Sequence, residues 1–138
     1  MDIYFDGELG FYAKDRRAAE RAVAQFRQYY ASGQFERMFD MGSAEMKQAM
    51  SRAQFAAQGR ASAERYGGLR STTQAAAVCF PHQIRFVYAS EFENGPVTEL
   101  MTWTLHHGKA ELLMYQMNDG RQQVSRNPPA ACPPAAVD

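Results

Sequence analysis

The hydrophobic pattern of this chain changes its period at Gly67-Gly68. Before this pair, apolar residues recur at spacings of three and four, which is the period of helices that bury one face. After it, apolar and polar residues alternate, which is typical of strands with one buried face. Helices followed by strands predict an α+β domain, with N-terminal helices packed on a curved antiparallel four-stranded sheet.

Local signals divide the helical half into separate helices. The pattern that starts at Lys14 ends at Gly33, because glycine takes the left-handed conformation that closes many helices. A short second helix is predicted up to Gly42. Ser51 followed by Gln54 forms a capping box, which predicts the start of a longer helix that ends at the glycine pair.

The chain length of 138 residues fits one domain. We predict an irregular or partly docked N-terminal arm over residues 1–12, the folded domain over 13–119 and a Pro/Ala-rich tail over 120–138. No apolar run approaches the roughly 20 residues of a membrane span, and no signal peptide is recognisable. The net charge is zero and the basic residues are scattered, so nucleic-acid binding is not expected.

The strand half predicts a meander with a definite register. A four-residue loop at Glu93–Pro96 is expected because proline cannot donate to a strand ladder, and it pairs Ser90 with Glu99. A two-residue turn at His107-Gly108 then pairs Glu99 with Gln116. This register gathers large apolar side chains on one face, which must receive the helices. The apolar face carries Ile84, Phe86, Tyr88, Phe92, Val97, Met101, Trp103, Leu105, Leu112 and Met114.

Three polar residues form one row on that apolar face. Ser90, Glu99 and Gln116 lie on three neighbouring strands. A buried carboxylate needs a partner, so the row is interpreted as the polar floor of a ligand site, with Tyr88 and Trp103 among its apolar walls. The alternative is that the row lies at the end of the sheet, in solvent, where the carboxylate needs no partner.

The opposite face of the sheet is also partly apolar. It carries Val87, Leu100, Leu113 and Tyr115 in the predicted register. An apolar face of this size needs a cover, and the tail, the N-terminal arm or a second protein chain remain open. The partner prediction is a protein or a second copy of this chain on this face.

No catalytic, metal or cofactor motif stands out. His82, His106 and His107 have no further ligands at zinc spacing, and no nucleophile is placed beside a base. We therefore predict a protein that is not an enzyme and that needs no metal or cofactor.

The two cysteines allow two interpretations. A disulfide between Cys79 and Cys132 ties the tail to the domain and indicates an oxidising compartment, periplasmic or extracellular. The alternative is two free thiols in a reducing cytosol.

The passage "AVAQFRQYYASGQFERMFDMGSAEMKQAMSRAQFAAQ", followed by "YGGLRS" and the strand meander, resembles small bacterial domains of the nuclear transport factor two-like (cystatin-like) superfamily. The similarity covers roughly residues 13–117 and includes exported domains of unknown function. It implies a cone with a cavity between the helices and the concave sheet face, and dimers through the other face.

The resemblance also bears on function. The superfamily includes isomerases and dehydratases that place Asp, Tyr or His inside the cone, whereas no inward Asp or His is predicted on this sheet. The leading hypothesis is a non-catalytic, protein-binding domain of an exported bacterial protein, such as an inhibitor or immunity protein for a secreted toxin. The alternative is a binder of an apolar small molecule, or a lyase- or isomerase-type enzyme, that uses the cavity.

Overall fold

The computed structural model describes residues 3–120 and Cys132, with side chains from residue 13 onward. Its helices are α1 (Ile3–Ala31), α2 (Phe35–Asp40), α3 (Ala44–Ala49) and α4 (Arg52–Tyr66), and its strands are β1 (Leu69–Phe80), β2 (Gln83–Phe92), β3 (Gly95–His106) and β4 (Lys109–Asp119). The strands form one antiparallel sheet in the order β1-β2-β3-β4. The predicted α+β class and the four-stranded sheet are confirmed. None of the helices in the described part of the chain is long and apolar enough to span a membrane.

Helix α1 is longer than the sequence pattern indicated. It begins at Ile3, so the irregular arm predicted for residues 1–12 was wrong from that residue onward. The glycines at positions 7 and 10 each cost about 1 kcal/mol of helix propensity, so the local sequence does not favour a helix in this segment. Propensity is a weak local signal, and here it did not predict where the helix begins.

The predicted helix ends are confirmed. Gly33 has a φ of 71°, the left-handed region that glycine reaches without strain. The Ser51 side chain accepts from the Gln54 backbone N–H, and the Gln54 side chain accepts from the Ser51 N–H, which completes the capping box.

Helices α2 and α4 pack closely at a glycine. A Cβ atom built on Gly59 would lie 2.7 Å from Cδ1 of Phe35, whose side chain is buried in the core. The absence of a side chain at Gly59 therefore allows α2 and α4 to pack closely. This glycine is not part of a turn.

We expect Gly59→Ala to destabilise the protein by about 1–3 kcal/mol through overpacking, even though alanine has the higher helix propensity. Urea unfolding measures the change. Ala57→Gly, at an exposed site of the same helix, is the control and should cost about 1 kcal/mol through propensity alone. A Gly59→Ala protein more stable than the wild type would contradict the close packing.

The β2–β3 hairpin differs from the predicted register by two residues. The turn consists of Glu93 and Asn94 only, and Ser90 lies opposite Val97, not opposite Glu99. The backbone O of Pro96 accepts from the N of Gly120, so the proline nitrogen also faces away from β2 and costs no ladder bond there. Because the error is an even number of residues, the same side chains still face the helices.

The β3–β4 pairing follows the prediction only as far as Trp103 and Leu112. Beyond this pair, one extra residue in β4 forms a bulge between Trp103 and Thr102, and Thr102 then pairs with Met114. A bulge of one residue reverses which face each later side chain occupies.

The bulge overturns three predicted positions. Met114, expected in the core, is 40% exposed on the outer face, the sheet face turned away from the helices. Tyr115, expected on the outer face, faces the interior and donates to Glu99. Gln116, expected in the inward polar row, is exposed and donates to Asn118.

The core lies between the helices and the concave inner face of the sheet. Trp103 and Phe26 are its largest fully buried side chains, and their rings meet edge to face at 6.2 Å between centroids. At the β4 edge, Leu112 exchanges backbone hydrogen bonds with Met41 and Ser43, which covers part of that edge.

Cys79 and Cys132 form a disulfide, with their Cα atoms 4.9 Å apart. Of the two interpretations of the cysteines, the structure therefore shows the bonded pair. The backbone N–H of Cys132 also donates to the O of Ala77 in edge strand β1 at 2.9 Å. The rest of the predicted tail, apart from Gly120, lies outside the described residues.

Candidate functional site

A fully buried carboxylate lies on the inner face of the sheet. Glu99 of β3 has an exposed fraction of 0%, so the alternative that it lies in solvent at the sheet end was wrong. Three residues donate to it: Arg27, Ser90 and Tyr115, which together with Glu99 we call the Glu99 cluster. A buried charge is tolerated when it is paired and hydrogen-bonded in this way.

Arg27 supplies the opposite charge from helix α1. Its Nη2 lies 3.0 Å from Oε1 of Glu99 and its Nη1 lies 3.3 Å from Oε2. This is the bidentate geometry of strong arginine–carboxylate pairs. The guanidinium also stands 4.9 Å from the ring centroid of Tyr88, and its Nη2 donates to Thr72 at 3.4 Å. The cation, which projects from α1, is therefore held by contacts from β1, β2 and β3.

Two hydroxyl groups complete the coordination of the carboxylate. The Ser90 Oγ donates to Oε1 of Glu99 at 2.5 Å, and the Tyr115 Oη donates to Oε2 at 2.5 Å. With the two bonds from Arg27, each carboxylate oxygen accepts two hydrogen bonds, which uses the roughly four lone-pair positions of the group.

The sequence interpretation missed Tyr115, although a signal for it exists. Four consecutive apolar residues, Leu112–Tyr115, interrupt the alternation of β4. A break in the period of two is the mark of a bulge, which turns the following side chain to the other face. Arg27 carried no such signal, because its partner is 72 residues away in the sequence.

A cavity of about 270 Å³ adjoins the cluster, and we call it the inner cavity. Its walls are mostly aromatic and aliphatic, with the charged pair at one side. It is lined by Phe26, Arg27, Tyr30, Ala31, Gly68, Leu69, Phe92, Glu99 and Tyr115. Apolar walls with a few fixed polar groups are the usual composition of a small-molecule site.

The two tyrosines of the inner cavity are held in the neutral form. Burial, followed by the nearby negative charge of Glu99, raises the pKa of Tyr115 well above its usual value. The same two causes raise the pKa of Tyr30 to about 12. The Tyr30 hydroxyl donates to the O of Gly67 at 2.8 Å, so its single proton is committed.

These pKa shifts predict a loss of stability in alkali. Below about pH 10 both phenols are protonated in the folded and unfolded states, whereas above it the unfolded chain alone releases the protons. The free energy of unfolding should therefore fall as the pH rises from about 10 toward the folded pKa. Urea unfolding from pH 8 to pH 11 measures the slope, which Tyr30→Phe and Tyr115→Phe should each reduce. Equal slopes in the wild type and both variants would contradict the raised pKa values of Tyr30 and Tyr115.

A second polar network lies beside the cluster on the inner face. Gln74 of β1 accepts from Nη2 of Arg16 at 2.7 Å and donates to Glu20 and to the Tyr88 hydroxyl, both at 3.4 Å. The network links α1 to the edge strand β1 by side-chain hydrogen bonds.

The predicted site residues fall into three groups. The structure brings Ser90 and Glu99 into direct contact. Tyr88 is buried and lies against Arg27 of the cluster, and Trp103 is buried in the core, but neither lines the inner cavity. Gln116 lies outside the cluster because of the bulge.

A second, more open groove of about 420 Å³ runs between α4 and β4. It includes Phe55, Arg65 and Met117, and it shares Tyr30 and Tyr115 with the inner cavity. The two tyrosines therefore stand between the groove and the inner cavity. In the described part of the chain, no group of three or more His, Cys, Asp or Glu side chains has a metal-binding arrangement.

Comparison of the chain with family models, with curated proteins and with solved structures found no match. Any assignment of function therefore rests on the geometry of the site.

Proposed function

We propose that this chain is a non-catalytic binding domain that takes a small, mainly apolar molecule in the inner cavity. The observation that carries this proposal is the cavity itself, with aromatic walls on one side and a fully coordinated Glu99–Arg27 pair on the other. Its volume of about 270 Å³ is close to the lower end of known ligand sites, about 300–1,000 Å³.

The coordination of Glu99 supports binding over catalysis. A general base must offer a lone pair to the proton that it removes from a substrate. Both oxygens of Glu99 already accept two hydrogen bonds each, one of them from the opposite charge of Arg27. Its role in the proposal is to orient Arg27 and Tyr115 at the cavity wall.

Naphthalene tests whether the cavity binds an apolar molecule. A cavity of about 150 Å³ already accepts benzene, so a two-ring molecule is a reasonable probe for this larger one. We expect naphthalene to shift the backbone amide resonances of Leu69 and Phe92 in a titration followed by NMR, in a saturable manner.

Two matched variants locate the binding. Leu69→Trp fills the inner cavity and should abolish the shifts, whereas Leu100→Trp adds the same side chain on the outer face and should leave them unchanged. Saturable binding that survives Leu69→Trp, or no binding to the wild type at all, would overturn the proposal.

A second candidate is protein binding through the outer face, including a role as an inhibitor or immunity protein for a secreted toxin. The bulge favours it, because it leaves Met114 40% exposed there; Phe80, at the end of β1, is 36% exposed. Val87, Leu100 and Leu113 keep partial exposure, whereas Tyr115 is no longer part of this face.

Sedimentation velocity tests the homodimer form of this candidate. A dimer that dissociates when Leu100 is replaced by Glu would support it, and a monomer at all concentrations would contradict it. For the toxin form, the test is neutralisation of a toxin encoded beside this gene, with the Leu100→Glu protein as the inactive control.

The cavity between helices and sheet supports the nuclear transport factor two-like assignment.

The disulfide supports a periplasmic or extracellular location in a bacterium. Rapid alkylation of intact cells followed by mass spectrometry tests the location. We expect Cys79 and Cys132 to be protected from alkylation until a reductant is added. Alkylation of both residues without a reductant would place the chain in a reducing compartment.

A further inference from the structure

We propose that the molecule bound in the inner cavity is an uncharged ring alcohol, an aromatic or alicyclic compound of about two rings with one hydroxyl group. This inference rests on the proposed function and adds the chemical class of the ligand. Three properties of the cavity lead to it: its size and walls, its net charge and its unused hydrogen-bonding positions.

The walls favour a ring system. Phe26 and Tyr115 meet with ring centroids 4.9 Å apart, and Tyr30 and Phe92 meet at 6.0 Å, so four aromatic rings bound the space. Aromatic faces and edges pack well against another ring. Leu69 adds an aliphatic wall, and the volume of about 270 Å³ admits a body larger than benzene.

The charges of the cavity oppose a charged ligand of either sign. The charges of Arg27 and Glu99 cancel within one ion pair, in which Glu99 is fully buried and Arg27 is partly buried. The pair therefore offers no net charge to a ligand ion. Glu93 adds a negative charge close to the cavity, where it accepts from the Gly68 N–H at 2.6 Å, which disfavours an anion further. A cation would lie beside the guanidinium of Arg27.

The unused hydrogen-bonding positions match a hydroxyl group. The hydroxyl groups of Tyr30 and Tyr115 each donate their single hydrogen bond to a protein acceptor. Among the described residues, no donor forms a hydrogen bond to either phenol oxygen. Both oxygens can therefore accept from a ligand O–H. Arg27 has five N–H groups and uses three of them in described bonds, so it can donate to the same hydroxyl oxygen.

Four probes with one ring system test the ligand class: naphthalene, 2-naphthol, 2-naphthoate and 2-naphthylmethylammonium. Calorimetry at pH 7 measures each affinity for the full chain. We expect 2-naphthol to bind about fivefold tighter than naphthalene, because it gains a net hydrogen bond. The two ions should bind about a hundredfold more weakly than 2-naphthol, because they lose their hydration without a partner charge.

The outcomes separate this inference from the proposed function. If either ion binds tightest, or if naphthalene equals 2-naphthol, the ligand class is wrong while the binding function stands. If none of the four probes binds, both are wrong.

Two variants test the acceptor positions. Tyr30→Phe and Tyr115→Phe should each reduce or abolish the advantage of 2-naphthol over naphthalene, while naphthalene itself still binds. Tyr29→Phe, outside the cavity, is the control and should keep the fivefold difference. Tyr115→Phe also removes a hydrogen bond to Glu99 and could therefore unfold the protein. If the Tyr115→Phe protein is unstable, Tyr30→Phe alone tests the acceptor positions. An advantage that persists in Tyr30→Phe and in a folded Tyr115→Phe would overturn the role of the phenol oxygens.

Discussion

Arg27→Met is expected to lower the free energy of unfolding by about 3–5 kcal/mol, because it leaves Glu99 charged, buried and without its counter-ion. Urea unfolding at pH 7 measures the loss. The fluorescence of Trp103, the single tryptophan of the chain, reports the exposure of the core in the same experiment.

Two further variants separate the charge from the packing. Arg27→Met combined with Glu99→Gln removes both charges and should recover a large part of the loss, since the amide oxygen can accept from one of the two hydroxyls, Ser90 or Tyr115, while the amide nitrogen donates to the oxygen of the other. Arg52→Met removes a second bidentate ion pair, which Arg52 forms with Asp40 and which is exposed to solvent. It should leave the stability nearly unchanged because water screens that pair.

A double variant that is no more stable than Arg27→Met would contradict this account, because the loss would then come from the methylene packing of the arginine. Equal losses for Arg27→Met and Arg52→Met would contradict it as well. The comparison also matters for function, because the same ion pair forms one wall of the inner cavity.

Loss of the disulfide has an expected effect of similar size. The double variant Cys79→Ala/Cys132→Ala should be less stable by about 4 kcal/mol, because the bond closes a segment with a sequence separation of 53 residues and so restricts the unfolded chain. Thermal and urea unfolding of the oxidised wild type and the variant measure the difference.

A reductant provides the control for this prediction. Dithiothreitol should bring the wild type close to the double variant and should not affect the variant itself. If the reduced wild type unfolds at the same urea concentration as the oxidised one, the disulfide contributes no stability. Its role would then be limited to holding residue 132 against β1, where its backbone N–H donates to Ala77.

Much of the fold was predictable because its signals are local. The capping box at Ser51 and the glycine at position 33 act through neighbouring backbone groups, so a few residues are enough to place these helix ends. The alternation of β2 and β3 placed Glu99 on the inner face, even though the assumed hairpin register was displaced by two residues. An even displacement leaves the faces unchanged, which is why the inward position of Glu99 survived the error.

Which side chains form the site depended on contacts between residues that are distant in the sequence. The turn at Glu93-Asn94 is held by bonds from its two backbone N–H groups to the O atoms of Gly68 and Tyr66, which lie in another part of the chain. The bulge at Leu113 turned Tyr115 inward and Gln116 outward, which replaced one predicted site residue with another.

The sequence by itself determined that helices precede strands, where α1 ends and α4 begins, and the faces of β2 and β3, since each follows from the spacing of residues along a short segment. Only the tertiary structure decided that Arg27 and Tyr115 meet Glu99 and that an inner cavity stays open beside them. The physical reason is that a buried carboxylate can take its donors from any element within reach. Which donors it takes depends on how the helices lie on the sheet.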